Sequence, residues 1–376
     1  MKIKAFLVLV LAINTVALFA QELSLVREDG MFGYIDKSGN YVIEPKFKNA
    51  KTFSNGLAAA EKDKLWGYID PSGKWVIEPK FDKVKYFESG YALVLEDDSW
   101  KYIDTTGKPL QVPSAEKYYD FEDGVSLFRE ADKIGLLGTS GKLVLEPTYD
   151  AIKKFRNGHA KVSKGEKWGM IDTKGKVVIP VEYDEIGNEF TAYGVEAKKG
   201  GVYGIVHNGT FNPIAGADKV WGFYGDSGLT YARKDKKVGF VNSKGEWVIE
   251  PKFDKARGFA NGLAPVAENK NWGYINKKGE MIIPAEYRDA EVFAENGLAP
   301  VKQKQWGFID SSGKVVIPLE YDITAGLAFL AGNDSKGFIN GLARVKTKKG
   351  WGFLDKDGKL LADKWFQNVE PFASIK

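Results

Sequence analysis

Residues that could act as nucleophiles or general bases are scarce in this chain. Its 376 residues include no Cys and only two His, His159 and His207, which excludes a thiol nucleophile, a disulfide and a cysteine-ligated zinc. The segment Gly225–Gly228 reads Gly-Asp-Ser-Gly and could present Ser227 as a nucleophile, but that chemistry requires a His base beside the serine. Neither His lies in the sequence context typical of such a base. We therefore interpret Ser227 as a loop residue.

Carboxylates that could bind a metal or catalyse hydrolysis occur at repeated positions. The segment Asp355–Gly358 begins like a calcium loop, but such a loop needs an oxygen ligand at every second position and a closing Glu. The segment stops at the glycine, and the equivalent Asp36–Gly39 reads Asp-Lys-Ser-Gly. Glutamates precede proline several times, at Glu44, Glu78, Glu146 and Glu250. Because no unique acid–base pair stands out, we predict no catalytic residues, no metal site, no cofactor and no enzymatic activity.

Three aromatic side chains are the candidates for a binding surface. Tyr41, Trp75 and Trp247 occupy the same place in a recurring pattern, directly before Val-Ile. Other copies carry aliphatic residues of different size, namely Leu143, Val177, Met281 and Val315. A buried place in a repeat usually keeps a steadier size, so the variation indicates a half-exposed surface that suits sugar rings or a protein partner. Packing between repeats explains the same pattern and is the interpretation we prefer, but ligand binding stays open.

Charge argues against a nucleic-acid partner. Lys and Arg number 54 against 50 Asp and Glu, a formal net charge of +4. Nucleic-acid-binding domains concentrate positive charge on one face, whereas the lysines here alternate with acidic residues along the chain. We therefore interpret them as a solvated surface.

The elements that carry these residues follow from an internal repeat. An aromatic–Gly pair, or a weaker copy of it, recurs ten times, with its second member at positions 33, 67, 101, 135, 169, 204, 239, 273, 307 and 352. The spacing is 34 or 35 residues until a last gap of 45, which marks an insertion near Thr324–Asn340. Each repeat predicts three short strands, as at Leu263–Val266, Trp272–Ile275 and Met281–Pro284. The insertion and a second irregular stretch, Ala215–Leu229, are predicted to be loops.

The turn between the second and third strands has a recurring chemistry. Asp or Asn stands first and Gly fourth, as in Asp70–Gly73, because Asp and Asn bond the backbone two residues on and Gly adopts the left-handed conformation that closes a hairpin. Pro79 and its equivalents lack an N–H and are predicted to end the ladder. A glycine inside the second strand, such as Gly67, implies either a bulge or close approach by a neighbouring ring. The regular Trp beside it favours ring packing, so we predict that these Trp residues are structural.

These motifs resemble the WG-repeat (KWG-repeat) family over essentially all of residues 22–376. The segments that carry the resemblance are Trp66–Asp70, Gly73–Pro79 and Gly262–Val266. Two repeats depart from the pattern, since Lys101 replaces the glycine in the third and Tyr203 the tryptophan in the sixth. The resemblance implies bacterial, β-rich repeat proteins that are often exported and have no general enzymatic activity. It implies no specific ligand.

The first twenty residues have the pattern of an export signal. Lys2 and Lys4 precede an apolar run, Ala5–Ile13, and a second short run ends at Ala20. A helix needs about 20 consecutive apolar residues to span a bilayer, and Asn14 interrupts this one. We therefore predict a secretory signal peptide over residues 1–20. The mature chain is expected to be periplasmic, on the cell surface or extracellular, with no transmembrane segment.

Residues 21–376 are predicted to form one all-β array of ten three-stranded antiparallel repeats of about 34 residues. A meander this small cannot bury its own faces, so stacking on neighbours must supply the core. We predict an elongated or superhelical array, with a closed β-propeller as the alternative, because ten blades exceed the typical four to eight. The expected function is that of a non-catalytic, exported binding or scaffold protein that engages a protein partner. Carbohydrate binding to cell wall or exopolysaccharide through exposed aromatic residues is the alternative.

Overall fold

The computed structural model describes residues 22–322 and 337–375, and nearly all of their regular structure is β-strand. The strands form ten small antiparallel sheets, here called blades 1 to 10, one for each sequence repeat. Within a complete blade four strands, A to D, pair in order. The all-β class and the count of ten repeats are therefore confirmed.

The bounds of the strands repeat from blade to blade. Strand A has two residues: Lys83–Val84, Ala151–Ile152, Glu185–Ile186, Lys219–Val220, Lys255–Ala256, Asp289–Ala290 and Asn368–Val369. In blades 4 and 10 the first strand instead lies directly before the tight turn into strand B, at Phe121–Glu122 and Phe338–Ile339. Strand B comprises Glu22–Glu28, Ala58–Lys62, Tyr91–Glu96, Val125–Glu130, His159–Lys164, Val195–Lys199, Leu229–Lys234, Leu263–Glu268, Ala299–Lys302 and Leu342–Thr347. Strand C comprises Met31–Ile35, Leu65–Ile69, Ser99–Asp104, Lys133–Gly138, Lys167–Asp172, Val202–His207, Lys237–Asn242, Asn271–Asn276, Trp306–Ile309 and Gly350–Leu354. Strand D comprises Tyr41–Phe47, Trp75–Phe81, Leu143–Tyr149, Val177–Tyr183, Thr210–Pro213, Trp247–Phe253, Met281–Tyr287 and Val315–Tyr321. A further short strand, Ala373–Ser374, and a 3-10 turn, Leu361–Asp363, lie near the C-terminus.

The C–D turn has the predicted chemistry. In blade 2 the Asp70 carboxylate accepts hydrogen bonds from the backbone N–H groups of Ser72 (2.9 Å) and Lys74 (3.0 Å). Gly73 has a φ of +81°, a conformation that side chains with a Cβ adopt only under strain. The same carboxylate or amide cap recurs at Asp36, Asp104, Asp172, Asn242, Asn276, Asp310 and Asp355.

The glycine inside strand C accommodates a β-bulge. The pairing register shifts between Trp66 and Tyr68, on either side of Gly67. A Cβ at this glycine would lie 2.5 Å from the Ile77 carbonyl oxygen and 2.7 Å from the Pro79 nitrogen. Of the two explanations that the sequence offered, the bulge is the one found. The crowding group is the backbone of strand D in the same blade and not a ring of the next repeat.

Strand D continues beyond its proline. In blade 2 it runs past Pro79 to Phe81, which pairs with Trp66 of strand C. The prediction that the proline ends the ladder was therefore wrong. The proline lies opposite the bulge, where the register shifts and a backbone N–H is not needed for pairing.

Neighbouring blades share one core. The buried Tyr68 of blade 2 donates its hydroxyl to the backbone carbonyl of Lys85 in blade 3 (2.8 Å) and packs edge-on against Phe87. Ile77 of blade 2 packs against Gly107, the turn glycine of blade 3. The tyrosine bond recurs from Tyr34, Tyr102 and Tyr274 to the carbonyls of Lys51, Tyr119 and Glu291. Stacking on neighbours therefore supplies the core, as a small meander requires.

The array closes on itself. Asn368 and Val369 pair with Arg27 and Val26, and so provide strand A of blade 1. Val26 and Val369 are both fully buried, in one cluster with Phe353 of blade 10. The protein is thus a ten-bladed β-propeller, the closed arrangement that the sequence left as the alternative, and not the open array. The sequence pattern within a repeat indicates only contacts between adjacent repeats, so it does not show whether the first and last repeats pair with each other.

Blade 3 departs most from the pattern. Strand D is missing there, as it is in blade 10, and residues 109–120 are irregular apart from one bridge between Pro109 and Ile103. Without strand D no backbone crowds the bulge position, which explains why Lys101 can stand in place of glycine. Its ammonium pairs with Glu96.

Both of the predicted loops contain short strands. Ala215–Leu229 was expected to be a loop, but it contains strand A of blade 7, Lys219–Val220, and the first residue of strand B. Val220 is buried, and this burial holds the short strand in place although the surrounding motif has decayed. The Thr324–Asn340 insertion lies largely outside the described residues, and within its described part Phe338–Ile339 is a strand.

The predicted signal peptide, residues 1–20, lies outside the described residues. In the described part of the chain, no helix has the length and apolar character needed to cross a membrane.

Candidate functional site

The three aromatic residues predicted from the sequence lie in blades 1, 2 and 7, so that only Tyr41 and Trp75 belong to neighbouring blades. Tyr41 contacts blade 10: its ring lies 4.3 Å from the Lys364 ammonium, which also donates to the Tyr41 hydroxyl (2.9 Å). The hydroxyl also bonds the Glu28 carboxylate, and this hydrogen bond is the main reason that the pKa of Glu28 is lowered. Tyr41 therefore takes part in the junction between the first and last blades.

Trp75 and Trp247 make the corresponding contacts elsewhere. Trp75 packs edge-on against Phe47 of blade 1, with ring centroids 5.9 Å apart. Trp247 donates its indole N–H to the Ala215 carbonyl, which precedes strand A of blade 7 (3.1 Å). Both rings are half-buried. The structure thus places all three residues at packing contacts and does not bring them together, and their binding of a ligand stays a prediction.

Ser227 is engaged with its own turn. Its hydroxyl bonds both the carbonyl (3.2 Å) and the N–H (3.1 Å) of Leu229. His159 lies in blade 5 with its Nδ1 on the Asn157 carbonyl (2.9 Å), and His207 ends strand C of blade 6. Across residues 22–322 and 337–375 no group of three or more acidic or His side chains is arranged to hold a metal ion.

The tight turns that precede strand B in successive blades form one surface, which is here called the turn face. Its members are Ser54–Gly56, Glu88–Gly90, Glu122–Gly124, Arg156–Gly158, Thr191–Gly194, Tyr224–Gly228, Ala260–Gly262, Ala294–Gly297 and Ile339–Gly341. Asn55 accepts from the Gly90 N–H (2.8 Å), and Ser89 accepts in turn from the Gly124 N–H (2.9 Å). Bonds of this kind continue to blades 5 and 6. The turns are therefore held in fixed positions relative to one another.

The turn face contains a depression of about 490 Å³ where blades 7 to 10 meet. Its wall carries Tyr224, Asp226, Asn261, Glu295 and Asn340, and the rings of Phe293 and Phe338 contribute to its lining. None of the described residues that line it is basic. The depression thus combines an aromatic ring, two carboxylates and several amides, an arrangement suited to a hydrogen-bond donor or a cation.

Tyr224 is the exposed aromatic residue of this site, with 43% of its surface accessible. The ring rests on Gly258 of blade 8, where an added Cβ would lie 2.5 Å from the Tyr224 Cβ. Partial burial, and next the charge of Glu291, raise the pKa of its hydroxyl, which therefore stays a neutral donor. In the other repeats a smaller or polar residue follows the equivalent Phe, as at Ser54, Glu88 and Ala260. The departure at Tyr224 can be recognised in the sequence, but the sequence analysis relied on the recurring Trp residues and did not single out this position.

The segment that leads into strand B of each blade is here called its linker. Linker residues of non-adjacent blades converge toward the ring axis. Asp120 of blade 4 lies within electrostatic reach of Lys51, Lys85 and Lys154, which belong to blades 2, 3 and 5. Partial burial raises the pKa of Asp120 and lowers that of Lys51. Because side chains of blades 2 and 4 reach each other past blade 3, we infer that they belong to the inner wall of the ring.

Glu196 of blade 6 is a buried carboxyl that the sequence did not single out. It fills space left by two glycines: a Cβ at Gly187 would overlap its carboxyl, and one at Gly222 would lie 3.2 Å from its Oε2. That oxygen has no hydrogen-bond partner among the described residues. Burial raises the pKa of Glu196 to about 7.

Among solved structures, the matches include a eukaryotic initiation factor, 14% identical over 78% of this chain and 95% of its own, with a TM-score of 0.44. Dihydro-heme d1 dehydrogenase NirN is 13% identical over 80% and 73% of the two chains, with a TM-score of 0.34. Hsv2p of Kluyveromyces lactis is 11% identical over 70% and 96%, with a TM-score of 0.23. At these TM-scores the matches carry no argument about fold or function. No curated protein sequence matches this chain.

The repeats themselves identify a family. The family model described as the WG containing repeat matches seven segments that together span more than half of the chain: residues 32–66, 66–100, 134–168, 168–191, 239–272, 272–305 and 306–324. Five of the seven segments begin at an aromatic–Gly pair, and the gaps between segments fall on the third and sixth repeats, where Lys101 and Tyr203 break the motif. The chain therefore belongs to the WG containing repeat family.

Proposed function

We propose that this propeller is a non-catalytic binding protein that engages a protein partner on the turn face, with a basic side chain of the partner seated in the depression beside Tyr224. Charge complementarity supports the choice of partner. Asp226 and Glu295 provide negative charge, and Tyr224 offers a ring on which an arginine or lysine can stack. The volume of about 490 Å³ suits one or two side chains, with the surrounding turns as rim.

The fixed geometry of the turns is the observation that carries this proposal. Hydrogen bonds between successive turns, from the Tyr193 hydroxyl to the Asp226 carbonyl (2.8 Å) and from the Asn261 amide to the Ala294 carbonyl (2.5 Å), order the surface beside the depression before a partner arrives. Preordered surfaces lose less conformational entropy on binding. We also propose that the protein is exported, on the basis of the first twenty residues of the sequence alone.

Retention of envelope material from the producing cell tests the proposal. Immobilised protein is incubated with envelope, before and after that envelope has been treated with a protease, and Tyr224→Ala is compared with wild type. Arg156→Ala is the matched control, because Arg156 holds the same exposed turn position in blade 5. We expect retention that is protease-sensitive, weakened at least tenfold by Tyr224→Ala, reduced by salt and unchanged in the control.

Two outcomes would contradict the proposal. Equal retention by Tyr224→Ala and wild type would refute the assignment of the binding site to the depression beside Tyr224. Protease-resistant retention that free polysaccharide competes away would replace the protein partner with a carbohydrate, and Trp75 and Trp247 would then be the next residues to substitute.

A further inference from the structure

Blade 3, which lacks strand D, carries a second cavity of about 390 Å³. Its lining consists of Lys85, Leu93, Trp100, Glu116, Lys117 and Tyr118. Trp100 is the repeat tryptophan of this blade, and residues 116–118 belong to the irregular segment that replaces strand D. The cavity therefore opens onto a ring that belongs to the structural core in other repeats.

The tryptophans equivalent to Trp100 have a cation that Trp100 lacks. In blades 2, 5 and 8 a linker cation lies over the ring: Lys51 over Trp66 (5.6 Å), Lys153 over Trp168 (5.8 Å) and Arg257 over Trp272 (4.3 Å). Lys85 is the equivalent cation in blade 3. It is not stacked on Trp100 within the described part of the chain, and the cavity lies between the two side chains.

We propose that this cavity binds an acidic saccharide, with one hexuronate unit stacked on Trp100 and its carboxylate held by Lys85 and Lys117. The C–H face of a sugar ring packs well on an indole, and Trp100 is half-buried and fixed on strand C. Both lysines are exposed at the cavity wall and can form charge-assisted hydrogen bonds to a carboxylate. Glu116 and the Tyr118 hydroxyl supply partners for sugar hydroxyls.

Two lysines and one carboxylate, that of Glu116, line the cavity, so its lining carries a net positive charge. Asp120 and Lys51 lie within electrostatic reach of Lys85. Lys117 rests on the Tyr119 ring (4.9 Å) and can turn toward a ligand, because a surface lysine side chain is flexible. Tyr118 is braced edge-on against the buried Tyr102, with centroids 5.7 Å apart. This site shares no residue with the depression near Tyr224, so it stands independently of the proposed function.

Calorimetric titration of the full chain with trigalacturonate tests the proposal. The methyl ester of the same trisaccharide serves as the uncharged probe and benzoate as an aromatic acid. We expect one binding site per chain, an affinity at least tenfold lower for the ester, and affinity that falls with added salt. Lys85→Gln should weaken binding of the acid about tenfold, whereas Lys51→Gln, its equivalent in blade 2, should leave it unchanged.

Trp100→Phe and Trp66→Phe form a second matched pair. Circular dichroism and thermal unfolding establish that both variants are folded before titration, and only Trp100→Phe should lower the affinity. No heat of binding at millimolar trigalacturonate, or equal affinities of Lys85→Gln and Lys51→Gln, would overturn the proposal. Binding of benzoate without binding of trigalacturonate would overturn the assignment of a saccharide.

Discussion

Gly67→Ala is the sharpest test of why a glycine follows the repeat tryptophan. The new Cβ would lie 2.5 Å from the Ile77 carbonyl oxygen and 2.7 Å from the Pro79 nitrogen, well inside a normal contact. Both atoms belong to the backbone of strand D, so relief requires the strand to move. Overpacking of this kind costs about 1–3 kcal/mol, and each weakened ladder hydrogen bond about 1 kcal/mol. We expect a loss of about 2–4 kcal/mol.

Urea unfolding followed by circular dichroism measures this loss as a lower midpoint. The matched control is Lys101→Ala, at the equivalent position of blade 3, where strand D is absent. Its expected cost is at most about 1 kcal/mol, from the ion pair with Glu96. The reasoning is refuted if Gly67→Ala unfolds at the wild-type midpoint, or if the control loses as much as Gly67→Ala does.

Two further predictions concern buried side chains. Trp272 is 8% exposed and lies under Arg257, so Trp272→Ala should cost about 3–5 kcal/mol in urea unfolding; near-wild-type stability with loss of partner retention would instead make it a ligand platform. Burial raises the pKa of Glu196 in the folded state to about 7. The folded state therefore binds a proton more tightly than the unfolded state does, and the free energy of unfolding decreases as the pH rises from about 4.5 through 7. Glu196→Gln should remove this decrease in stability, so the variant should be more stable than wild type at pH 8 but not at pH 4. Thermal unfolding at several pH values measures the difference, and identical pH profiles of variant and wild type would contradict the prediction.

The local elements could be predicted because their causes are local. Asp70 and Gly73 determine a hairpin turn within four residues, and the 34-residue spacing determines how many such units exist. The closure of the ring could not be predicted, since it depends on Val26 meeting Val369 from the far end of the chain. Both residues look like ordinary strand positions in the sequence.

The candidate site near Tyr224 was not predicted from the sequence, for a different reason. Size variation at the first residue of strand D pointed to Trp75 and Trp247, which turned out to contact their neighbours. The informative variation lay after the recurring Phe of the linker, where Tyr224 replaces a small or polar residue. Exposure at that point depends on how four blades meet, and only three-dimensional packing reveals it.

The pairing of Val26 and Arg27 with residues 368–369 also sets the order of events during synthesis. Strand B of blade 1 is made first, and the backbone groups that face strand A have no partner until residues 368–369, some 340 residues later, have left the ribosome. At about 5–20 residues per second, that interval is tens of seconds. Throughout it the nascent chain exposes an unpaired edge, the kind of surface that templates aggregation. We therefore expect the N-terminal blade to need protection from aggregation while the chain is still growing.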